Sequence, residues 1–127
     1  MLDAVALTIS RNYKLKCDFD IDPDLDIKDE SIIKELYYII DEAVMNSLKH
    51  SGCTSIFISM FYQKNMIILK IVDNGKGISE NNEAESGAGL EIMKYRARAI
   101  GGFLDVVNVA DGGVMVRCVF NPEKIMV

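Results

Sequence analysis

Eight of the nine glycines in this chain of 127 residues fall in four close pairs, Gly75/Gly77, Gly87/Gly89, Gly101/Gly102 and Gly112/Gly113. Glycine loses more backbone entropy on folding than any other residue. Such clustering therefore belongs at element ends, where the chain needs positive φ or where the backbone approaches another group closely. The pairs divide the C-terminal half into short units and leave little freedom over where helices and strands stop.

Between these boundaries the hydrophobic pattern assigns element types. From Glu30 to His50 the set Ile32, Leu36, Ile40, Ala43 and Ser47 recurs at helical spacing, with Asp29 or Ser31 as N-cap and Gly52 as the stop. Lys14 to Asp20 alternates as a short strand, broken by Asp22-Pro23-Asp24. Ser55 to Tyr62 and Met66 to Asp73 are β-rich runs joined by Gln63-Lys64-Asn65, a hairpin in which Ile67, Leu69 and Ile71 share one face. Ser79 to Ser86 has no apolar periodicity and reads as a mobile loop, a candidate lid. Gly87-Ala88-Gly89 then opens a second helix marked by Leu90, Met93, Ala97 and Ile100 and ended by Gly101-Gly102. Phe103 to Val109 and Val114 to Phe120 flank Ala110-Asp111-Gly112-Gly113 as a last hairpin. The order β, α, ββ, α, ββ predicts an α+β fold, a two-layer sandwich whose mostly antiparallel mixed sheet carries helices on one face.

Half of the residues are hydrophobic, enough for one domain over residues 1–127, with 1–12 read as the remnant of an upstream linker or dimerisation helix. A net charge of −5 argues against a nucleic-acid or anionic-membrane surface. Cys17, Cys53 and Cys118 are odd in number, far apart and without a CxxC, a pattern of reduced thiols in a cytoplasmic protein. The strongest apolar run, Met66 to Val72, is too short to span a bilayer.

The polar residues beside the glycines carry the chemistry. On the first helix Glu42 and Asn46 are four apart and Lys49 and His50 follow, all bordering the apolar stripe. At the rim of a cleft, Asn offers a neutral oxygen to Mg²⁺, Lys a point charge to phosphate, and Glu orients a metal-bound water or accepts a proton. A solvated helix face explains the same pattern. Asp73 ends an apolar strand ahead of Asn74-Gly75-Lys76-Gly77, where its carboxylate can accept a hydrogen bond from an exocyclic amine; an ordinary Asp-Asn-Gly turn reads identically. The free N–H groups of a helix opening at Gly87-Ala88-Gly89 suit phosphate. Ile92 stands where a dinucleotide fingerprint needs its third glycine. Lys94, Arg96 and Arg98 lie late in their helix, where cations favour the dipole, and read as a solvated face.

Together, Glu42 through His50, Asp73-x-Gly75-x-Gly77 and Gly87-x-Gly89-Leu90 resemble the N box and two glycine boxes of the ATP-binding domain shared by gyrase, the ninety-kilodalton heat-shock chaperones, mismatch-repair ATPases and sensor histidine kinases. Lys49-His50, the short lid and Glu91 to Ala97 ahead of Gly101-Gly102 are similar to the nitrate-sensor-like two-component kinases. The likeness covers roughly residues 14 to 121, nearly a whole domain. It implies that Asn46 binds Mg²⁺, that Asp73 bonds the adenine amino group and that Gly75, Gly77 and Ile78 shape the base pocket. It further implies that Gly87, Ala88, Gly89 and Leu90 close over the phosphates, that Lys49 contacts phosphate, that His50 faces the nucleotide cleft or its rim, and that Glu42 is the supporting acid or base.

The implied function is a Mg-ATP-binding catalytic domain delivering the γ-phosphate to a histidine on a dimerisation domain, with a response regulator downstream. The expected setting is cytoplasmic, the parent free or membrane-tethered; the isolated domain is expected to be monomeric and its parent homodimeric. The only histidine, His50, lies inside the N box, so the chain is not expected to autophosphorylate. Two departures lower the expected affinity: Met45 stands where the subfamily often has Asn, and Val114 where the family usually has Thr. Each lost hydrogen-bonding group costs roughly 0.5–1.5 kcal/mol. A stand-alone serine kinase of the anti-sigma type and a regulatory nucleotide-binding module are the rival readings.

Overall fold

In the computed structural model the described residues are 11, 15–50, 52–76, 83–110 and 112–122. Five strands and two helices follow one another as β1 (Lys16–Ile21), α1 (Glu30–His50), β2 (Ser55–Gln63), β3 (Met66–Asp73), α2 (Glu83–Ala99), β4 (Phe103–Asn108) and β5 (Val114–Phe120). One sheet contains all five strands in the order β1-β2-β3-β5-β4. β1 lies parallel to β2, and the other neighbours are antiparallel, which gives the mixed sheet expected from the element order.

Local chemistry sets the boundaries. The Asp29 carboxylate accepts hydrogen bonds from the Ser31 N–H at 2.9 Å and the Ser31 hydroxyl at 2.5 Å, so Asp29 is the N-cap of α1 and Ser31 its partner. Lys64 and Asn65 both take positive φ, 51° and 67°, the two-residue turn that matches the twist of β2 and β3. At the end of α2, the Gly101 N–H bonds the Arg98 carbonyl at 3.0 Å and the Gly102 N–H the Ala97 carbonyl at 2.8 Å, a Schellman closure.

The stripe read from α1 is the stripe that is buried: Ile32, Leu36, Ile40, Ala43 and Ser47, joined by Ile39 and Val44. It packs with Met93 and Ala97 of α2 and with Ile100 just after that helix against Ile56, Ile58, Met60, Ile67, Leu69, Ile71, Val116, Cys118 and Phe120, the inward side chains of the sheet. Each such Leu or Ile contributes roughly 1.5–3 kcal/mol by leaving water, which makes this shared layer the main support of the fold. Both helices therefore occupy one face of the sheet, and the ends of β3 and β5 open beneath α1.

Two expectations need correction. Gly87 does not open α2: the helix begins at Glu83, so part of the expected loop is helical. Glu83-Ala84-Glu85 supplies good helix formers, and that propensity outweighs the missing apolar periodicity. Nor is Arg96 merely solvated. Its guanidinium lies 3.2 Å from a Glu35 carboxylate oxygen and 4.1 Å from the Tyr38 ring centroid, and so ties α2 to α1.

Candidate functional site

Two clusters of polar groups form where α1 crosses the sheet, one from the buried side of the helix and one from its border. The first centres on Asp73, the last residue of β3, which is 4% exposed. Its Oδ2 accepts the Ser47 hydroxyl at 2.6 Å, and its Oδ1 accepts the Gly75 N–H at 2.9 Å and the Val114 N–H at 3.1 Å. A carboxylate removed from water needs such donors, and three of them hold this one in a fixed plane.

The β4–β5 turn is bedded against the same residue. Gly113 has φ +94°, and a Cβ there would fall 2.0 Å from the Asp73 carbonyl oxygen, a rigid backbone atom. No side chain fits, so glycine is what lets the turn approach and brings the Val114 N–H within reach of the carboxylate. This changes the meaning of Val114. Its backbone joins the Asp73 network whatever its side chain, so the loss of a threonine hydroxyl leaves the carboxylate supported.

Asn74, beside Asp73, accepts from the Thr54 and Ser55 N–H groups at 2.9 and 3.0 Å and donates to the Thr54 hydroxyl at 3.0 Å. Those bonds pin the chain as it leaves β3.

The second cluster joins the helices. A Cβ built on Gly89 would lie 2.6 Å from Glu42 Oε1 and 2.9 and 3.0 Å from the amide Nδ2 and Oδ1 of Asn46, so the α2 backbone runs directly against both side chains. The i, i+4 spacing of Glu42 and Asn46 read from the sequence thus converges on one point. These are hard oxygen donors, one charged and one neutral, the chemistry Mg²⁺ accepts when phosphate and water complete its shell. Among the described residues no group of three His, Cys, Asp or Glu side chains gathers as a metal site, so a cation here would depend on the ligand's own oxygens.

The remaining residues named from the sequence are distributed unevenly. Lys49 is exposed near the end of α1, and His50 closes the helix with its side chain outside the described residues. Gly77, Ile78 and the first half of the expected lid, residues 79–82, also lie outside them, while Gly87 and Ala88 are described only as backbone of α2. Leu90 points elsewhere: it lines a groove of about 450 Å³ with Lys94, Arg98 and Leu104, between α2 and β4. Ser47 and Gly113 escaped the sequence reading as site residues. Ser47 fitted the core stripe and Gly113 a hairpin, and only their shared approach to Asp73 sets them apart.

The cysteines are free thiols. Burial pushes Cys118 up to about 12, and burial with the neighbouring Asp18 charge raises Cys17, so neither is a ready nucleophile.

Residues 31–124 match the family described as "Histidine kinase-, DNA gyrase B-, and HSP90-like ATPase". Among curated proteins, the chain is 35% identical over 96 residues to the sensor protein VraS of Staphylococcus haemolyticus, covering 72% of this chain and 28% of that protein. It is 33% identical over 111 residues to the sensor histidine kinase LiaS of Bacillus subtilis, covering 82% of this chain and 31% of that protein. The chain thus spans less than a third of the length of these relatives. Among solved structures, the histidine kinase domain of the Erythrobacter litoralis EL346 blue-light activated histidine kinase superposes with a TM-score of 0.81 at 17% identity, covering 98% of this chain and 60% of that one. The ATP binding domain of PrrB from Mycobacterium tuberculosis gives 0.70 at 24% identity, covering 91% and 87%. These two likenesses bear on the fold.

Proposed function

Since the chain belongs to the histidine kinase-, DNA gyrase B- and HSP90-like ATPases, we propose that it is the catalytic ATP-binding domain of a two-component sensor histidine kinase. On this reading it binds Mg-ATP and presents the γ-phosphate to a histidine on a dimerisation domain of its parent, from which a response regulator is served. The observation that carries it is the buried Asp73 carboxylate, held by Ser47, Gly75 and Val114 at the end of β3. A carboxylate so held is a prepared acceptor for the exocyclic amine of a purine.

Each residue then has a distinct task. Asp73 accepts from the base, while Gly75 and the Gly112-Gly113 turn keep the neighbouring wall thin. Asn46 and Glu42 face the phosphate end, where the Asn46 amide oxygen would hold Mg²⁺ and the Glu42 carboxylate would orient a water or accept a proton. Lys49 supplies a positive charge once the triphosphate is in place. Bound Mg²⁺ would neutralise phosphate charge, which is most of what in-line phosphoryl transfer asks of a site.

The geometry of α2 adds a requirement. In a helix that starts at Glu83 the N–H groups from Gly87 onward are used within the helix. For Gly87 and Gly89 to donate to phosphate, the first turn must open. Two glycines so near the helix start lower its cost, since each is about 1 kcal/mol less favourable in a helix than alanine.

Thermal unfolding with and without Mg-ATP tests the reading. Nucleotide at 100 times its Kd stabilises by about 2.7 kcal/mol, a shift of several degrees for a domain of this size. No shift at millimolar Mg-ATP would overturn it. Phosphate transfer to a supplied histidine-bearing dimerisation domain separates a kinase from a regulatory module.

A further inference from the structure

Ser47 is the residue whose chemistry the fold does not explain. It occupies the apolar stripe of α1 one turn beyond Ala43, is 9% exposed, and gives its proton to Asp73 Oδ2 at 2.6 Å across 26 residues of sequence. A hydroxyl and a carboxylate buried together are costly groups to place in a core where alanine would pack. Resting on the functional reading above, we propose that Ser47 is a positioning residue that makes the nucleotide site select a 6-amino purine over a 6-oxo purine.

The geometry supports this in two steps. A carboxylate offers about four lone-pair directions over its two oxygens. Among the described residues Oδ1 receives two donors, the Gly75 and Val114 N–H groups, and Oδ2 receives Ser47 alone. The acceptor capacity that these donors leave is therefore on Oδ2, and the Ser47 hydroxyl fixes the direction in which it faces by stopping rotation of the carboxylate plane.

The second step is polarity. Because the Ser47 proton is committed to Asp73, this corner presents an acceptor and no donor. An exocyclic amine donates to it. An exocyclic carbonyl sets oxygen against oxygen, with the carbonyl left without a donor and the remaining lone pair of Oδ2 unmet, the arrangement from which hydrogen-bonding sites derive their strongest discrimination. With alanine at 47 the carboxylate is held at Oδ1 only, Oδ2 is free to turn or to take up water, and the distinction weakens.

The test is calorimetric titration of the chain with Mg-ADP and with Mg-inosine diphosphate, which differ at the 6 position in having an amine or an oxygen. Wild type is expected to favour ADP by roughly tenfold or more. Ser47→Ala is expected to narrow that ratio by about threefold or more, through weaker ADP binding with inosine diphosphate unchanged, while Ser47→Thr, which keeps the hydroxyl, retains it. Melting without nucleotide confirms that each variant folds. A ratio unchanged in Ser47→Ala, even with both affinities lowered equally, would reduce Ser47 to a packing role and overturn the proposal. Wild type that binds neither nucleotide would overturn the functional reading and this proposal with it, an outcome distinct from the first.

Discussion

The two ends of the proposed nucleotide site are built differently. At the base end a buried carboxylate is matched by a hydroxyl and two backbone N–H groups, with the β4–β5 turn seated on the strand behind it. At the phosphate end two half-exposed side chains of one helix meet the backbone of another, and one of them, Glu42, has a flexible stem. The first arrangement is complete before a ligand arrives. The second is the kind that a ligand reorganises, because its contacts lie between helices and not within a hydrogen-bonded sheet. On the proposed function, one site thus combines a fixed reader of the base with an adjustable grip on the phosphates.

Alanine in place of glycine separates the two ends most sharply. Gly113→Ala meets positive φ and a backbone oxygen that cannot move aside, so a loss of about 3 kcal/mol or more is expected in urea unfolding, with nucleotide binding lost as well. A variant as stable as wild type would show that the turn does not sit on Asp73. Next in size is Arg96→Ala, which removes the stacking on Tyr38 and the half-buried pair with Glu35 and is expected to cost about 1 kcal/mol, leaving nucleotide affinity unchanged. A fall in affinity would mean that the tether between helices sets the phosphate end.

Gly89→Ala is expected to change stability by less than about 1 kcal/mol, because alanine favours the helix while its Cβ displaces the end of Glu42 and nudges Asn46. Its effect belongs instead to Mg-ATP, whose affinity is expected to fall several-fold; unchanged affinity would detach Glu42 and Asn46 from the phosphates. The smallest effect concerns the cap of the helix common to both ends. Hydrogen bonds from the Ser31 hydroxyl and N–H hold the Asp29 carboxyl below its ordinary value of 3.8. A lowered folded value stabilises above the unfolded value, and that contribution is lost as pH falls through the folded one. The gap in urea midpoint between wild type and Asp29→Ala should be full near about pH 6 and close toward roughly pH 2. A gap independent of pH would show that the cap does not act through its charge.

The sequence was most legible where a periodic pattern met a strong terminator. The α1 stripe, the Lys64-Asn65 hairpin and the Gly101-Gly102 stop needed only neighbours along the chain, and the spacing of Glu42 and Asn46 was a property of one helix. What was hidden depended on distant partners. Ser47 resembled any small residue in a stripe until β3 placed Asp73 against it, and Gly113 resembled any hairpin glycine until its turn reached the same carboxylate. The start of α2 was hidden for another reason: Glu83-Ala84-Glu85 carries helix propensity without amphipathic pattern, and propensity alone does not separate a helix start from a polar loop.

At the base end, one substitution isolates the role proposed for Asp73. Asp73→Asn keeps the shape of the side chain, leaves an oxygen for the Gly75 and Val114 N–H groups, and replaces the acceptor toward Ser47 and the base with a donor. Calorimetric titration with Mg-ATP is expected to give saturable binding for wild type and an affinity lower by about tenfold or more for the folded variant. Equal affinities, or no binding by wild type, would contradict the assignment of Asp73 as the reader of the base.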